Sequence, residues 1–107
     1  MSRQEILDDP ASAFPQLGQF LGGYFHQDWV VDRDRWEAVV DDFTAESPRS
    51  LVLECAAELR DLLAAGFTDT ELTGMLERLG GMVEPSAAHM RPDGWLQAVL
   101  AQLSAAT

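Results

Sequence analysis

The sequence predicts an all-α fold, a compact single-domain bundle of about five helices. Three observations predict it. Apolar residues recur at intervals of three and four in five separate stretches, the period of a helix with one face against a core. Ser, Thr, Asp and Pro stand where those stretches begin, and Gly stands where several of them end. No run alternates apolar and polar residues, and Val30-Val31 is too short to argue for a strand. At 107 residues, one domain is expected. Residues 13–107 are read as a single helical domain preceded by a flexible N-terminal arm over 1–12, with no repeat and no low-complexity tract.

The arm is polar and acidic, and only Ile6 and Leu7 are apolar together; Pro10 ends any short helix before it. The first strong stripe is Leu17, Phe20, Leu21, Tyr24 and Phe25, with Pro15 at an early helical position. Gly18, Gly22 and Gly23 are poor helix formers inside that stripe. They point either to another backbone packed close by or to a bend. A second stripe, Trp36, Val39, Val40 and Phe43, follows Asp34 as N-cap, with Glu37 three residues later as in a capping box. Ser47-Pro48 opens a long helix whose apolar face is Leu51, Val52, Cys55, Leu59, Leu62 and Leu63; Gly66 stops it and Phe67 tucks back. Thr68 and Glu71 form a second capping-box pattern ahead of Leu72, Met75, Leu76 and Leu79, with Gly80-Gly81 as the stop. Residues 82–92 read as a loop. Asp93 caps a last helix whose inward face is Trp95, Leu96, Val99, Leu100 and Leu103, and residues 104–107 fray. The short connections favour antiparallel packing of neighbouring helices.

Seven basic side chains stand against eighteen acidic ones, a net charge of −11. Phosphate binding needs clustered cations, so nucleic acid and anionic membrane are excluded as partners and a basic protein is favoured. All seven basic residues are Arg, Lys and Asn are absent and Ile6 is the only Ile, which reads as codon drift in a GC-rich genome. The single cysteine allows no internal disulfide framework and suits a reducing compartment. The first ten residues lack the apolar core of a signal peptide, and no run approaches the ~20 apolar residues of a bilayer span, so the expected location is the cytoplasm.

Residues 14–29 read FPQLGQFLGGYFHQDW. This stretch resembles the N-terminal signature of the contact-dependent growth inhibition immunity proteins, in which a Leu-rich helix runs into a Tyr-Phe-His-Gln-Asp-Trp block. Tyr24, Phe25, His26, Gln27, Asp28 and Trp29 match that block residue for residue. A long middle helix, a short Asp- and Leu-rich one and a terminal helix opened by Gly94-Trp95-Leu96 fit the later pattern loosely. The resemblance implies a bacterial protein that binds the toxic C-terminal domain of a cell-surface effector and blocks its active site or substrate path. Such toxins are often nucleases with basic clefts, which an acidic inhibitor would suit. The alternative is an acidic helical regulatory or adaptor module that binds some other protein.

Between Asp28 and Glu46, seven acids (Asp28, Asp32, Asp34, Glu37, Asp41, Asp42 and Glu46) face only Arg33 and Arg35, leaving −5 over nineteen residues. Glu37 and Asp41 share a helix face at a spacing that costs an isolated helix ~0.2–0.5 kcal/mol. Asp28, Asp32, Asp34, Glu37, Asp41 and Asp42 are therefore the candidate partner-binding residues, although a solvated face in an acidic protein also accounts for them. Glu54, Glu58 and Asp61 form a second candidate surface. In the Tyr24–Trp29 block, Tyr24, Phe25 and Trp29 read as packed, His26 and Gln27 as polar-side, and Asp28 as the member nearest the surface.

No catalytic constellation emerges. His26 and Asp28 are two apart and leave a helix on different sides. His89 is isolated, no metal-ligand spacing is present, and no Gly-rich phosphate loop has its required context. Cys55 sits within an apolar stripe. The chain is read as non-enzymatic, with no cofactor, no metal and no small-molecule substrate.

Overall fold

A computed structural model describes residues 2–26, 29, 35–83 and 89–106. Among these residues the secondary structure is entirely helical, in seven helices: α1 (Arg3–Asp8), α2 (Pro10–Ala13), α3 (Pro15–Tyr24), α4 (Trp36–Glu46), α5 (Arg49–Ala64), α6 (Asp69–Arg78) and α7 (Pro92–Ala105). The five longer ones are the five expected from the apolar stripes. The radius of gyration is 12.7 Å, against about 13 Å for a folded chain of this length.

The two additional helices lie where a loose arm was expected. Residues 3–8 and 10–13 are helical, Pro10 is buried, and Ile6 and Leu7 pack on the core. Pro10 acts as the sequence requires: α1 ends before it, and it occupies the first turn of α2. What the residue pattern hides is the help from outside the segment, described below.

Helices α5 and α7 form the central contact. Helix α3 packs on α5, α4 spans α7 and α3, and α6 lies against α7. The consecutive pairs α4–α5 and α5–α6 are not among the main contacts. For these two pairs, sequence neighbours are therefore not the principal packing partners that their short connections suggested, whereas the consecutive pairs α3–α4 and α6–α7 do pack together.

Leu17, Phe20 and Leu21 of α3, Val39, Val40 and Phe43 of α4, and Val52, Cys55, Leu59 and Leu62 of α5 are all buried in one cluster with Trp95, Leu96, Val99 and Leu103. Its centre is a chain of aromatic contacts. Phe20 lies 4.4 Å from Phe43 and 5.6 Å from Phe25, and Phe25 meets Trp95 edge-on at 5.3 Å, centroid to centroid. Trp36 closes on the other side of Trp95 at 5.8 Å.

Helix boundaries follow local chemistry, with three shifts from the expected caps. Helix α4 takes Arg35 as N-cap without a side-chain bond, where Asp34, which lies outside the described residues, was expected; Glu37 lies in the first turn, where a carboxylate favours the helix dipole. Ser47 closes α4 by donating its N–H to the Phe43 carbonyl, and Pro48 is the N-cap of α5. A residue before proline is driven to extended backbone, and Ser47 has φ −103° and ψ 148°. Helix α7 starts at Pro92 rather than after Asp93, whose Oδ1 accepts from the Gly94 N–H. The Thr68–Glu71 capping box forms as expected: Thr68 Oγ1 accepts from Glu71 N–H, and Glu71 Oε1 accepts from Thr68 N–H. That backbone bond, and after it the Arg3 guanidinium, hold Glu71 below the usual carboxylate range.

Gly66 and Gly80 stop their helices at φ 72° and 86°, a region that disfavours any side chain. At Gly80 a Cβ would also stand 3.1 Å from Gly22 Cα, and at Gly22 it would stand 3.3 Å from the Leu79 carbonyl. The close backbone approach inferred from the α3 glycines is thus located at Gly22.

Helix α3 has no side-chain cap of its own; Phe14 occupies the cap position. Glu58, from the middle of α5, supplies it across the fold. Its Oε1 accepts from Leu17 N–H at 3.0 Å and its Oε2 from Gln16 N–H at 3.3 Å. Glu58→Ala strands both donors and is expected to cost about 0.5–2 kcal/mol in urea unfolding, whereas Glu58→Gln keeps one acceptor and costs less. Burial, and then the charges of Glu54 and Asp61, push the Glu58 carboxyl above its ordinary value, against the lowering effect of the two backbone bonds. A raised folded-state pKa makes the stabilisation greatest below the unfolded value and removes it as pH rises through the folded one. Unfolding titrations across that interval should show wild type losing stability relative to Glu58→Gln as pH rises.

Cys55 is fully buried, and burial pushes its thiol up to about 12, with Glu58 adding to the effect. A thiol-reactive disulfide reagent at neutral pH should leave the native protein unlabelled over a time in which denatured chains react completely.

Candidate partner-binding surface

Helix α4 carries the described part of the acidic segment. Its apolar side, Val39, Val40 and Phe43, faces the core, which turns Glu37, Asp41 and Asp42 toward the outer side. Asp41 and Glu46 are exposed, while Glu37 and Asp42 are half-buried. Asp28, Asp32 and Asp34 lie outside the described residues, as does Gln27 of the signature block.

The α4 carboxylates are tethered from below. Gln102 of α7 donates its Nε2 to the Glu37 carbonyl and to Asp41 Oδ1, each at 2.8 Å. Tyr24 donates its hydroxyl to Glu46 Oε2 at 2.7 Å. That bond, then burial, raise the Tyr24 pKa. These three bonds hold α4 on α7 and on the end of α3, and fix two carboxylates at the surface. Gln102 was missed in the residue pattern, although it flanks the stripe of Val99 and Leu103, where a polar side chain sits at the edge of a packed face.

The second acidic candidate divides. Glu58 is the α3 cap already described, a structural role. Glu54 and Asp61 are exposed on the same helix, as is Leu53, which keeps 44% of its surface accessible.

The signature block is architectural where it is described. Phe25 is fully buried between Phe20, Trp29 and Trp95. Its carbonyl accepts from Met82 N–H at 2.7 Å, and Trp29 returns a bond from Nε1 to the Met82 carbonyl at 2.8 Å. The block therefore staples the end of α3 to the segment following α6. His26 is half-buried, and its carbonyl accepts from Trp29 N–H. His89 is exposed at φ 58°. Among the described residues, no three His, Cys, Asp or Glu side chains gather as a metal site would require. No described helix is long and apolar enough to cross a membrane.

The sequence model of the CdiI immunity protein family matches residues 13–103. The chain belongs to the CdiI immunity protein family. Its backbone is also similar to a chain in the crystal structure of a CdiA-CT/CdiI complex from Y. kristensenii 33638. The TM-score is 0.78 at 25% sequence identity, over 85% of this chain and 98% of that one. A search of curated proteins finds no match. The match to the CdiI family begins at Ala13, the last residue of α2.

Proposed function

We propose that this chain is an immunity protein that binds the C-terminal toxin domain of a contact-dependent growth inhibition effector and silences it by covering its active site or substrate path. Membership of the CdiI family over residues 13–103 is the observation that carries this reading. The similar backbone in a CdiA-CT/CdiI complex supports it.

In this reading the chain is a binding protein rather than an enzyme, and it acts in the cytoplasm. The toxin surface it meets is basic, as a nuclease cleft for phosphate would be. A net charge of −11 supports that choice, because opposite charge speeds encounter and suppresses wrong partners. The contact is assigned to the acidic segment: Asp28, Asp32 and Asp34 together with Glu37, Asp41 and Asp42 of α4. Two features of α4 suit it to this use. It is anchored near both ends, by Gln102 at the Glu37 carbonyl and by Tyr24 at the Glu46 carboxylate, so little ordering is needed on binding. Its acids lie on a helix rather than on a loop, which fixes their spacing.

The test is to co-purify the chain with the toxin domain encoded beside it, then ask whether its expression protects cells from that toxin. Binding with protection is the expected result. A toxin that neither binds nor is neutralised would overturn the reading.

A further inference from the structure

Residues 2–12 precede the family segment, yet they are drawn onto its surface at named points. Ser2 and Glu5 form a capping box that sets α1 in register and places Arg3 at its first position. The Arg3 guanidinium then donates to the Ala65 carbonyl at 3.0 Å, the Gly66 carbonyl at 3.2 Å and Glu71 Oε1 at 3.0 Å. It also lies over the Phe67 ring, 4.4 Å from its centroid. One cation thus serves the carbonyl end of α5, where positive charge is favoured, and the capping carboxylate of α6. At the far end of α6, Arg78 donates to the Leu7 carbonyl. The two fixed points, Arg3 to Glu71 and Leu7 to Arg78, lay α1 along α6 in the same direction. Pro10 is buried beyond them, and Ala11 touches the position of Gly18 in α3.

The attachments differ in kind from those of the body. Helices of six and four residues have no independent stability in water. Helix α1 buries no side chain completely, since Ile6 and Leu7 are only half-buried, and α2 buries only Pro10. The polar contacts are solvent-facing, with the Arg3 side chain 49% accessible. By contrast, α5 and α7 place Leu59, Leu62, Trp95 and Leu103 at 1% accessibility or less. A segment held by short helices and exposed polar bonds opens at lower free energy than the core it covers.

We propose that residues 2–12 are a strap that opens as a unit while the body from 13 to 103 stays folded, and that Arg3 is its latch. Opening uncovers the Phe67 ring and returns the Ala65 and Gly66 carbonyls to water. Nothing in this depends on the identity of the toxin.

Native-state hydrogen exchange on the full chain tests the strap, read by peptide-resolved mass spectrometry at low denaturant. Amides of 3–13 that are bonded within α1 and α2 should exchange at least roughly a hundredfold faster than those of 52–62, with a shallow denaturant dependence. Arg3→Ala should speed exchange in 3–10 by about tenfold and loosen 66–71 while leaving 52–62 and 95–103 unchanged. Arg3→Lys, which keeps the charge but not the forked donors, should fall between. Exchange of 3–10 in step with 52–62, with the same steep denaturant dependence, would overturn the strap. So would an Arg3→Ala variant that speeds exchange in α5 and α7 as much as in α1.

Discussion

Trp95→Ala is expected to be the most damaging single substitution in the core, lowering stability by about 3–5 kcal/mol. Trp95 is the largest fully buried side chain, wedged edge-on between Phe25 and Trp36. It sits in α7, the helix that contacts α4, α5 and α6, so a cavity there loosens several interfaces at once. A domain of this size holds roughly 5–15 kcal/mol in total, so the loss is a large fraction of it. At about 4 °C per kcal/mol for a chain of this length, the melting temperature should fall by more than ~10 °C. Trp95→Phe separates the two parts of the residue. Among the described residues the indole N–H meets no acceptor, so Phe removes an unsatisfied donor while retaining most of the ring packing. It should cost clearly less than Ala. Leu59→Ala, at a site equally closed to solvent on α5, is expected to cost about 2–5 kcal/mol by the same cavity mechanism. Urea midpoints at unchanged m-value are the measurement. An Ala variant at Trp95 within ~1 kcal/mol of wild type would mean the α7 core collapses to fill the space.

The five long helices were legible in the residues because each carries a local signal that tertiary contacts reinforce. Leu17, Phe20 and Leu21 repeat at the helical period and are buried, and Thr68 with Glu71 forms the box that its spacing implies. What the residues left hidden acts over long sequence separation. Glu58 caps a helix that starts forty-odd residues earlier. Arg3 reaches the end of α5 across sixty-two residues. Local composition cannot reveal such partners, which is why residues 1–12 read as a loose arm. Gln102 illustrates the same limit at the binding surface: its position beside an apolar stripe is visible in sequence, but the carbonyl and carboxylate it joins are on another helix. The YFHQDW block was readable as a family mark. Its work as a staple between α3 and Met82 needed the fold.

Reversing Glu37 and Asp41 to Arg is expected to weaken toxin binding by about a hundredfold or more at low salt, chiefly through slower association. The double change alters the local charge by four and places cations where the proposed partner is itself basic. Asp41 has a second duty, because its Oδ1 accepts from Gln102. An Arg side chain there offers that amide no acceptor, so the reversal alone confuses lost charge with a loosened α4. The pair Glu37→Gln and Asp41→Asn resolves this. The Asp41→Asn change retains an amide oxygen for Gln102, and the Glu37 contact uses the backbone carbonyl, which substitution spares. This neutral variant should unfold at the wild-type urea midpoint yet associate about tenfold more slowly, and its rate should depend less on ionic strength than the wild-type rate does. Slower association with unchanged stability assigns the effect to the field of the acidic face. Unchanged association would remove α4 from the contact and shift attention to Glu54 and Asp61, which are exposed on α5. Reversing Glu54 and Asp61 in a parallel measurement therefore decides which acidic helix meets the toxin.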